Sequence, residues 1–279
     1  MLAKPARQHP WYATMLIAQI SDLHLRPPGD LAYGVVDTAA CLQAAIDTLN
    51  ALDPRPDCAL LTGDLADRAL PAEYDCLRAM LRGLRMPHYL LVGNHDDRDA
   101  LRAAFPDHGY LRAGGRFVQY AIERPALRLL ALDTLVPGEE YGELCDRRLD
   151  WLQEQVGREP RRPTVVAMHH PPFATGIAAM DEIGLRSGAE RLAAIVAGHA
   201  NVKGIVCGHV HRGIARRFGG ATAAVCPSTA HQIALRLAPE AELMFALEPP
   251  GYLLHWWDGA ELTTHQGFVG RYPGPYSFG

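Results

Sequence analysis

The stretch Gly93-Asn94-His95-Asp96 sets polar residues able to bind a metal or move a proton directly behind the apolar run His88-Tyr89-Leu90-Leu91-Val92. That run reads as a buried strand. Gly93 lets the chain turn where a side chain would obstruct it. A buried strand that breaks off in such residues suits a reactive edge better than a core, because ligands of open α/β sheets gather at the carboxyl ends of strands. Four other apolar runs end in the same way. Residues 15–20 lead to Ser21-Asp22-Leu23-His24, 57–62 to Gly63-Asp64, 164–168 to His169-His170-Pro171-Pro172, and 204–207 to Gly208-His209-Val210-His211. The pairs Asp22/His24 and His209/His211 share an i, i+2 spacing, which in extended chain points both side chains to one face. The donors are two carboxylates (Asp22, Asp64), one amide oxygen (Asn94) and four imidazoles (His24, His169, His209, His211). With O and N donors and no cysteine, the set suits Mn²⁺, Fe, Zn²⁺ or Co²⁺. Two divalent ions, two carboxylates and a bridging hydroxide leave about +1, a centre that attracts an anion and polarises its P–O bonds. Two ions roughly 3.5–4 Å apart can hold both nucleophile and phosphoryl oxygens of an in-line displacement. The chemistry expected is phosphate-ester hydrolysis by attack of a metal-bound hydroxide, without a covalent enzyme intermediate.

The elements that must position these groups alternate between strand and helix. A helix is predicted over about 37–52, with Ala39, Leu42, Ile46 and Leu49 on one stripe and Pro54 and Pro56 beyond its end. A second is predicted near 71–84, with Pro71 in its first turn. A third is expected at 97–105, with Asp96 either as its cap, the preferred reading, or orienting His95. Runs near 116–122 and 127–132 read as a hairpin, and helices are expected near 146–156 and 187–198, the latter capped by His199. Short β-like runs follow at 222–226, 243–247 and 252–257. His170 is expected to orient a neighbouring ligand. The loop from Phe173 to Asp181 holds Gly176, Ala178 and Ala179, so few side chains tie it down, and it reads as a mobile lid or a subunit contact.

Composition bounds the alternatives. The 279 residues are 48% hydrophobic and 21% charged, which allows a sizeable core. A net charge of -4 gives no electrostatic argument for nucleic acid or an anionic membrane as partner. The six cysteines are scattered, several inside apolar runs, which suggests reduced thiols in a cytoplasmic protein. No apolar stretch is long enough to span a bilayer. Residues 1–14 lack the apolar centre of a secretory signal and read as an N-terminal extension. Residues 15–279 read as a single domain, whose segment from about 235 is expected to cap the site or take part in oligomerisation.

In this order, Asp-x-His, Gly-Asp, Gly-Asn-His-Asp, His-His and Gly-His-x-His resemble the motifs of the calcineurin-like metallophosphoesterases over about residues 15–211. Finer features are similar to the branch of class III cyclic-nucleotide phosphodiesterases and glycerophosphodiesterases: Ile20-Ser21-Asp22-Leu23-His24, Tyr33-Gly34 with Asp37, Gly93-Asn94-His95-Asp96-Asp97, Met168-His169-His170-Pro171-Pro172 and Thr229-Ala230-His231-Gln232. The resemblance implies an α/β fold, a four-layer αββα sandwich of two mixed β-sheets flanked by helices, and a homo-oligomer. It implies two metal ions per chain. Asp22, His24, Asp64 and His211 would hold the first, and Asp64, Asn94, His169 and His209 the second, with Asp64 bridging. His95 would stand near the leaving group, and Asn94, His95 and His231 on the substrate side. The substrate would be a small phosphodiester, a cyclic nucleotide or a glycerophosphodiester, with no nucleic acid polymer. The alternatives are a phosphomonoesterase or nucleotide pyrophosphatase on the same site, and a scaffold with a vestigial site.

Overall fold

The computed structural model describes residues 14–278, so all but the last residue of the expected N-terminal extension lies outside it. In chain order its elements begin β1 (Met15–Ile20), α1 (Thr38–Asn50), β2 (Cys58–Thr62), α2 (Pro71–Leu81), β3 (His88–Leu91) and α3 (Arg98–Ala104). Then come β4 (Tyr120–Glu123), β5 (Arg128–Leu132), β6 (Gly142–Glu143), α4 (Asp146–Arg158), β7 (Thr164–Met168), α5 (Ala178–Glu182), β8 (Leu185–Ser187), α6 (Ala189–Gly198) and β9 (Val202–Cys207). The chain finishes with β10 (Ile214–Phe218), β11 (Ala221–Val225), β12 (Gln232–Ile233), β13 (Phe245–Ala246), β14 (Gly251–Trp257) and β15 (Leu262–Phe268).

Two mixed sheets stack face to face. One has the order β15-β14-β1-β2-β3 and the other β10-β11-β9-β7-β5-β4. Strands β1, β2 and β3 run parallel, as do β5, β7, β9 and β11. Period-two alternation explains how the second sheet serves two layers. Leu129, Ala131, Val165, Ala167 and Val206 join the core shared with β1–β3, α1 and α2. Their neighbours Leu130, Leu132, Val166, Met168, Ile205 and Cys207 pack instead with Leu149, Leu152 and Val156 of α4 and Leu192 and Val196 of α6. Helices therefore cover both outer faces, as an αββα sandwich requires. A buried polar chain ties the sheets together: Gln19 Nε2 donates to Thr62 Oγ1 and to Cys207 O, each at 2.8 Å, and Gln19 Oε1 meets His255 Nε2 at 3.0 Å.

Two expectations need correction. The cap of α3 is Asp97, whose carboxylate accepts from Asp99 N and Ala100 N. Asp96 is buried instead and accepts from Gly93 N, Leu65 N, Ala66 N and the Tyr74 hydroxyl, so it welds the ends of β2 and β3 together. The segment after 235 also supplies β14, which pairs with β1 inside the first sheet. The loop from Phe173 to Asp181 is tied down. The Asp181 carboxylate accepts from Thr175 N, Thr175 Oγ1 and Gly176 N, α5 occupies its second half, and the Arg216 guanidinium lies over the Phe173 ring and donates to Ala174 O. No helix among the described residues is long and apolar enough to cross a membrane.

Candidate metal centre

The parallel strands end at the same edge, and five of the seven endings supply a side chain. β1 leads to Asp22 and His24, β2 to Asp64, β3 to Asn94 and His95, β7 to His169 and His170, and β9 to His209 and His211. The local backbone differs from the extended geometry expected. Asp22, His24, Asp64, His209 and His211 all have positive φ, between 43° and 74°. For residues with a Cβ this region is sparsely populated and costs on the order of 1–3 kcal/mol each, and it recurs where a site over-determines the chain. Backbone bonds hold it here: Asp22 N donates to Gly63 O at 3.1 Å and His24 N to Asp64 O at 2.9 Å. The pairs do converge, through turned backbone rather than shared strand faces. Glycines make room. A Cβ on Gly93 would collide with Asp64 Oδ1 and lie 2.8 Å from His169 Cε1, and one on Gly208 would collide with Ser21 Oγ.

The side chains form two adjoining clusters of hydrogen-bond acceptors. In the first, His24 Nδ1 lies 3.2 Å from Asp67 Oδ1 and His211 Nδ1 lies 3.0 Å from His231 O. Both acceptors require the proton on Nδ1. The two Nε2 lone pairs then face one another at 3.0 Å, with Asp64 Oδ2 3.6 Å from His24 and Asp22 Oδ1 3.5 Å from His211. Asp22 Oδ2 is buried with no hydrogen-bond partner among the described residues. In the second, His169 Nδ1 donates to Thr62 O at 2.8 Å, so in the neutral ring its Nε2, 3.3 Å from Asp64 Oδ2 and 3.1 Å from Asn94 Oδ1, is the nitrogen left with a lone pair. His209 Nδ1 is 3.1 Å from the same Asn94 oxygen. Buried acceptors turned on one another repel unless a cation lies among them. The donor set and its tautomers fit two metal ions, with Asp64 Oδ2 common to both clusters. Asp64 Oδ1 meanwhile accepts from His95 N at 2.9 Å.

Charge follows the same layout. Burial pushes the His209 and His211 imidazoles far below their ordinary range, with His170 and His24 respectively adding to the push, so both present lone pairs. Burial would also lower His169, but the Asp64 carboxylate outweighs it and lifts the group to about 9. Burial opposes ionisation of Asp64 in turn, and His169, His95 and His24 bring it well below the usual carboxylate range. A metal ion would take over the counter-charge that this proton supplies.

His95 lies beside the first cluster, its ring 4.5 Å from that of His24. Its Nδ1 is 2.7 Å from Asp67 O. Burial works against its protonation, and the Asp64 carboxylate overcomes that, so it is held above the ordinary histidine value. His231 is buried, 4.7 Å from His211 and 5.4 Å from His24 between ring centroids. His170 behaves as a support: its Nε2 donates to Glu140 O and its Nδ1 meets Thr134 Oγ1 at 2.8 Å. His199 caps α6 as expected, with Nδ1 2.7 Å from Ile195 O. The residue the motifs missed is Asp67. It orients His24, takes the Arg26 guanidinium at 2.7 Å, and anchors His95 through its carbonyl. Its three-residue distance from Asp64 in Asp64-Leu65-Ala66-Asp67 was the available signal. Tyr33 and Phe245, which meet His231 edge to face, were missed as site residues too.

Residues 15–213 match the family model for calcineurin-like phosphoesterases, and the chain belongs to that family. It is 34% identical over 268 residues to the glycerophosphodiester phosphodiesterase GpdQ of Enterobacter lignolyticus, covering 95% of each chain. It is 35% identical over 265 residues to a probable GpdQ of Arcobacter nitrofigilis, covering 95% of this chain and 97% of that one. The 3′,5′-cyclic adenosine monophosphate phosphodiesterase CpdA of Escherichia coli is 31% identical over 220 residues, 79% of this chain and 78% of its own. Among solved structures, a dimetal phosphatase from Danio rerio superposes with a TM-score of 0.64 at 16% identity, covering 90% of this chain and 98% of that one, which shows the shared fold.

Proposed function

We propose that the protein is a two-metal phosphodiesterase acting on small diesters, glycerophosphodiesters or cyclic nucleotides. The observation that carries this is Asp64 Oδ2 standing between two buried groups of donors, 3.6 Å from His24 Nε2 in one and 3.3 Å from His169 Nε2 in the other. Asp22, His24, Asp64 and His211 would hold one ion, and Asp64, Asn94, His169 and His209 the other. When bound, the ions supply positive charge for the phosphoryl oxygens and an acidified water as nucleophile. The chain's own part in the reaction falls to His95. Its Nδ1 is committed to Asp67 O, so Nε2 is the nitrogen that carries a transferable proton. Its raised affinity for that proton keeps it charged closer to neutrality, as a donor to the departing alcohol oxygen should be. The Asp67 carbonyl holds the ring through Nδ1, and Asp64 Oδ1 holds the backbone N–H of His95. His231 stands on the substrate side.

The donor set supports Mn²⁺, Fe, Zn²⁺ or Co²⁺ as the bound ions. Six free thiols support a reducing, cytoplasmic setting. Exposed Leu235, Leu237, Leu243, Met244 and Leu247 support a homo-oligomer. The test is a substrate panel on metal-reconstituted protein: 3′,5′-cAMP, 2′,3′-cAMP, glycerophosphodiesters, bis-p-nitrophenyl phosphate and a monoester. Diesters should be turned over faster than the monoester, and a preference for the monoester would overturn the reading. His95→Ala should keep its metals and lose roughly 10²–10⁴-fold in turnover, less for a p-nitrophenol leaving group. Equal losses for good and poor leaving groups would remove the proton-donor role.

A further inference from the structure

Beside the first acceptor cluster three rings from three separate segments meet. His231 is 5.1 Å from Tyr33 and 5.3 Å from Phe245, edge to face in both cases, and Tyr33 and Phe245 are 4.9 Å apart with their planes inclined at 33°. His231 is 2% exposed and forms the inner wall, while Tyr33 at 51% and Phe245 at 36% present their rings to solvent. Each outer ring is built in. Tyr33 sits at the tip of a tight turn with φ 51°, closed by reciprocal 2.9 Å bonds between Ala32 and Val36. Arg26 pins that turn by donating to Leu31 O at 3.0 Å and pairing with Asp30. Phe245 lies on β13, which pairs with β12 immediately after His231, with Ile233 opposite Phe245. Backbone ladders and a left-handed turn thus hold two apolar rings at a wet edge, one imidazole away from His24 and His211.

We propose that Tyr33, His231 and Phe245 form a ledge that receives the alcohol portion of the diester and favours a planar ring, so that nucleoside-bearing diesters are preferred to glycerol-bearing ones. This deepens the phosphodiesterase reading and rests on it. Flat rings stack on flat rings whatever their hydrogen-bonding edge, whereas glycerol brings only hydroxyls, for which the ledge offers little beyond the Tyr33 phenol. A quaternary ammonium headgroup would need space between rings. At centroid separations of 4.9–5.3 Å these rings already touch one another, so the surface they offer is a platform rather than a cage.

The test compares wild type with Phe245→Ala and Phe245→Leu, the second keeping apolar bulk without the flat face, each loaded with metal and checked for an unchanged melting temperature. Calorimetry would measure the affinities of 5′-AMP and glycerol 3-phosphate, and kinetics kcat/KM for 3′,5′-cAMP, glycerophosphoethanolamine, glycerophosphocholine and bis-p-nitrophenyl phosphate. Loss of a stacking partner should weaken 5′-AMP about tenfold against less than twofold for glycerol 3-phosphate, and lower the cAMP-to-glycerophosphoethanolamine ratio by a similar factor. Equal falls across all ligands, or the largest fall for glycerophosphocholine, would overturn the ledge. A wild type inert toward every diester would sink the diesterase reading even if the AMP affinity shifted in the variants. An active wild type whose ratios do not move in either variant would sink the ledge alone.

Discussion

Replacing Asp67 by Asn should loosen one metal ion and spare the other. The carboxylate has two jobs: Oδ1 accepts from His24 Nδ1 at 3.2 Å, and Oδ2 takes the Arg26 guanidinium at 2.7–2.8 Å. His24 and Arg26 together hold it down to about 2, against the effect of burial, so it is charged at any working pH. An amide keeps the shape and can still accept from His24, but it loses the charge that fixes the tautomer and makes Nε2 a better ligand. Outer partners of this kind are worth about 10–100-fold in metal affinity, or roughly 1.4–2.8 kcal/mol. The loss should fall on the Asp22/His24/Asp64/His211 cluster, because Asp67 touches none of Asn94, His169 or His209. His95 should stay in place, since its anchor is the Asp67 carbonyl, which the substitution retains. Metal content after dialysis against graded chelator would measure both sites. One tightly held ion and one weakened ion is the expected result. Equal weakening of both sites, or wild-type retention of both, would refute the assignment of Asp67 to His24.

Asp64→Ala should abolish binding of both ions and essentially all turnover, while Asn94→Ala should weaken mainly the second site; metal analysis of the purified variants checks both, and two ions retained in Asp64→Ala would contradict a bridging carboxylate. Gly93→Ala should cost metal affinity at both clusters at once, because the added carbon collides with Asp64 Oδ1 and crowds His169; a variant with normal metal content would show that the backbone relaxes there. Acid should destabilise the fold through His255, which burial pushes down to about 4. Its folded value lies below the unfolded one of about 6.5, so the stabilisation is complete above that and is lost as pH falls toward 4, by up to about 3 kcal/mol. Chemical denaturation across that range should show a shallower pH slope for His255→Gln, and identical slopes would clear His255 of the role.

The donors were legible because their signal is local. A parallel strand buried on both faces is a short apolar run, and a polar residue at its end has few reasons to be there other than the site. The strands β1, β2, β3 and β7 and the helices behind them follow from that pattern. What could not be read depended on partners far away in sequence. Asp96 and Asp97 look alike as helix caps, and only the buried N–H groups of Leu65 and Ala66 decide which one turns inward. Strand β15, Leu-Thr-Thr-His-Gln-Gly-Phe, is mostly exposed at the sheet edge, so it carries no apolar alternation to find. Asp181 looked like one more loop residue until its carboxylate was seen to gather three donors. The left-handed backbone of the site residues has only a weak signature in sequence, since Asp and His enter that region more readily than most residues yet seldom do so.

Asp22, His24, Asp64 and Asn94 hang from the first sheet, and His169, His209 and His211 from the second. Each acceptor cluster draws from both. An ion seated in either one is therefore a bolt through the seam between the two halves of the sandwich, and its departure leaves like charges and facing lone pairs pushing that seam apart. Metal supply should then govern mechanical integrity as well as turnover. Stripping the ions should raise hydrogen exchange first at the ends of β1, β2, β7 and β9, while the far ends of the same strands, closed by apolar packing and by bonds such as Leu16 N to Asp57 Oδ2 and Thr164 N to Asn201 O, stay shut.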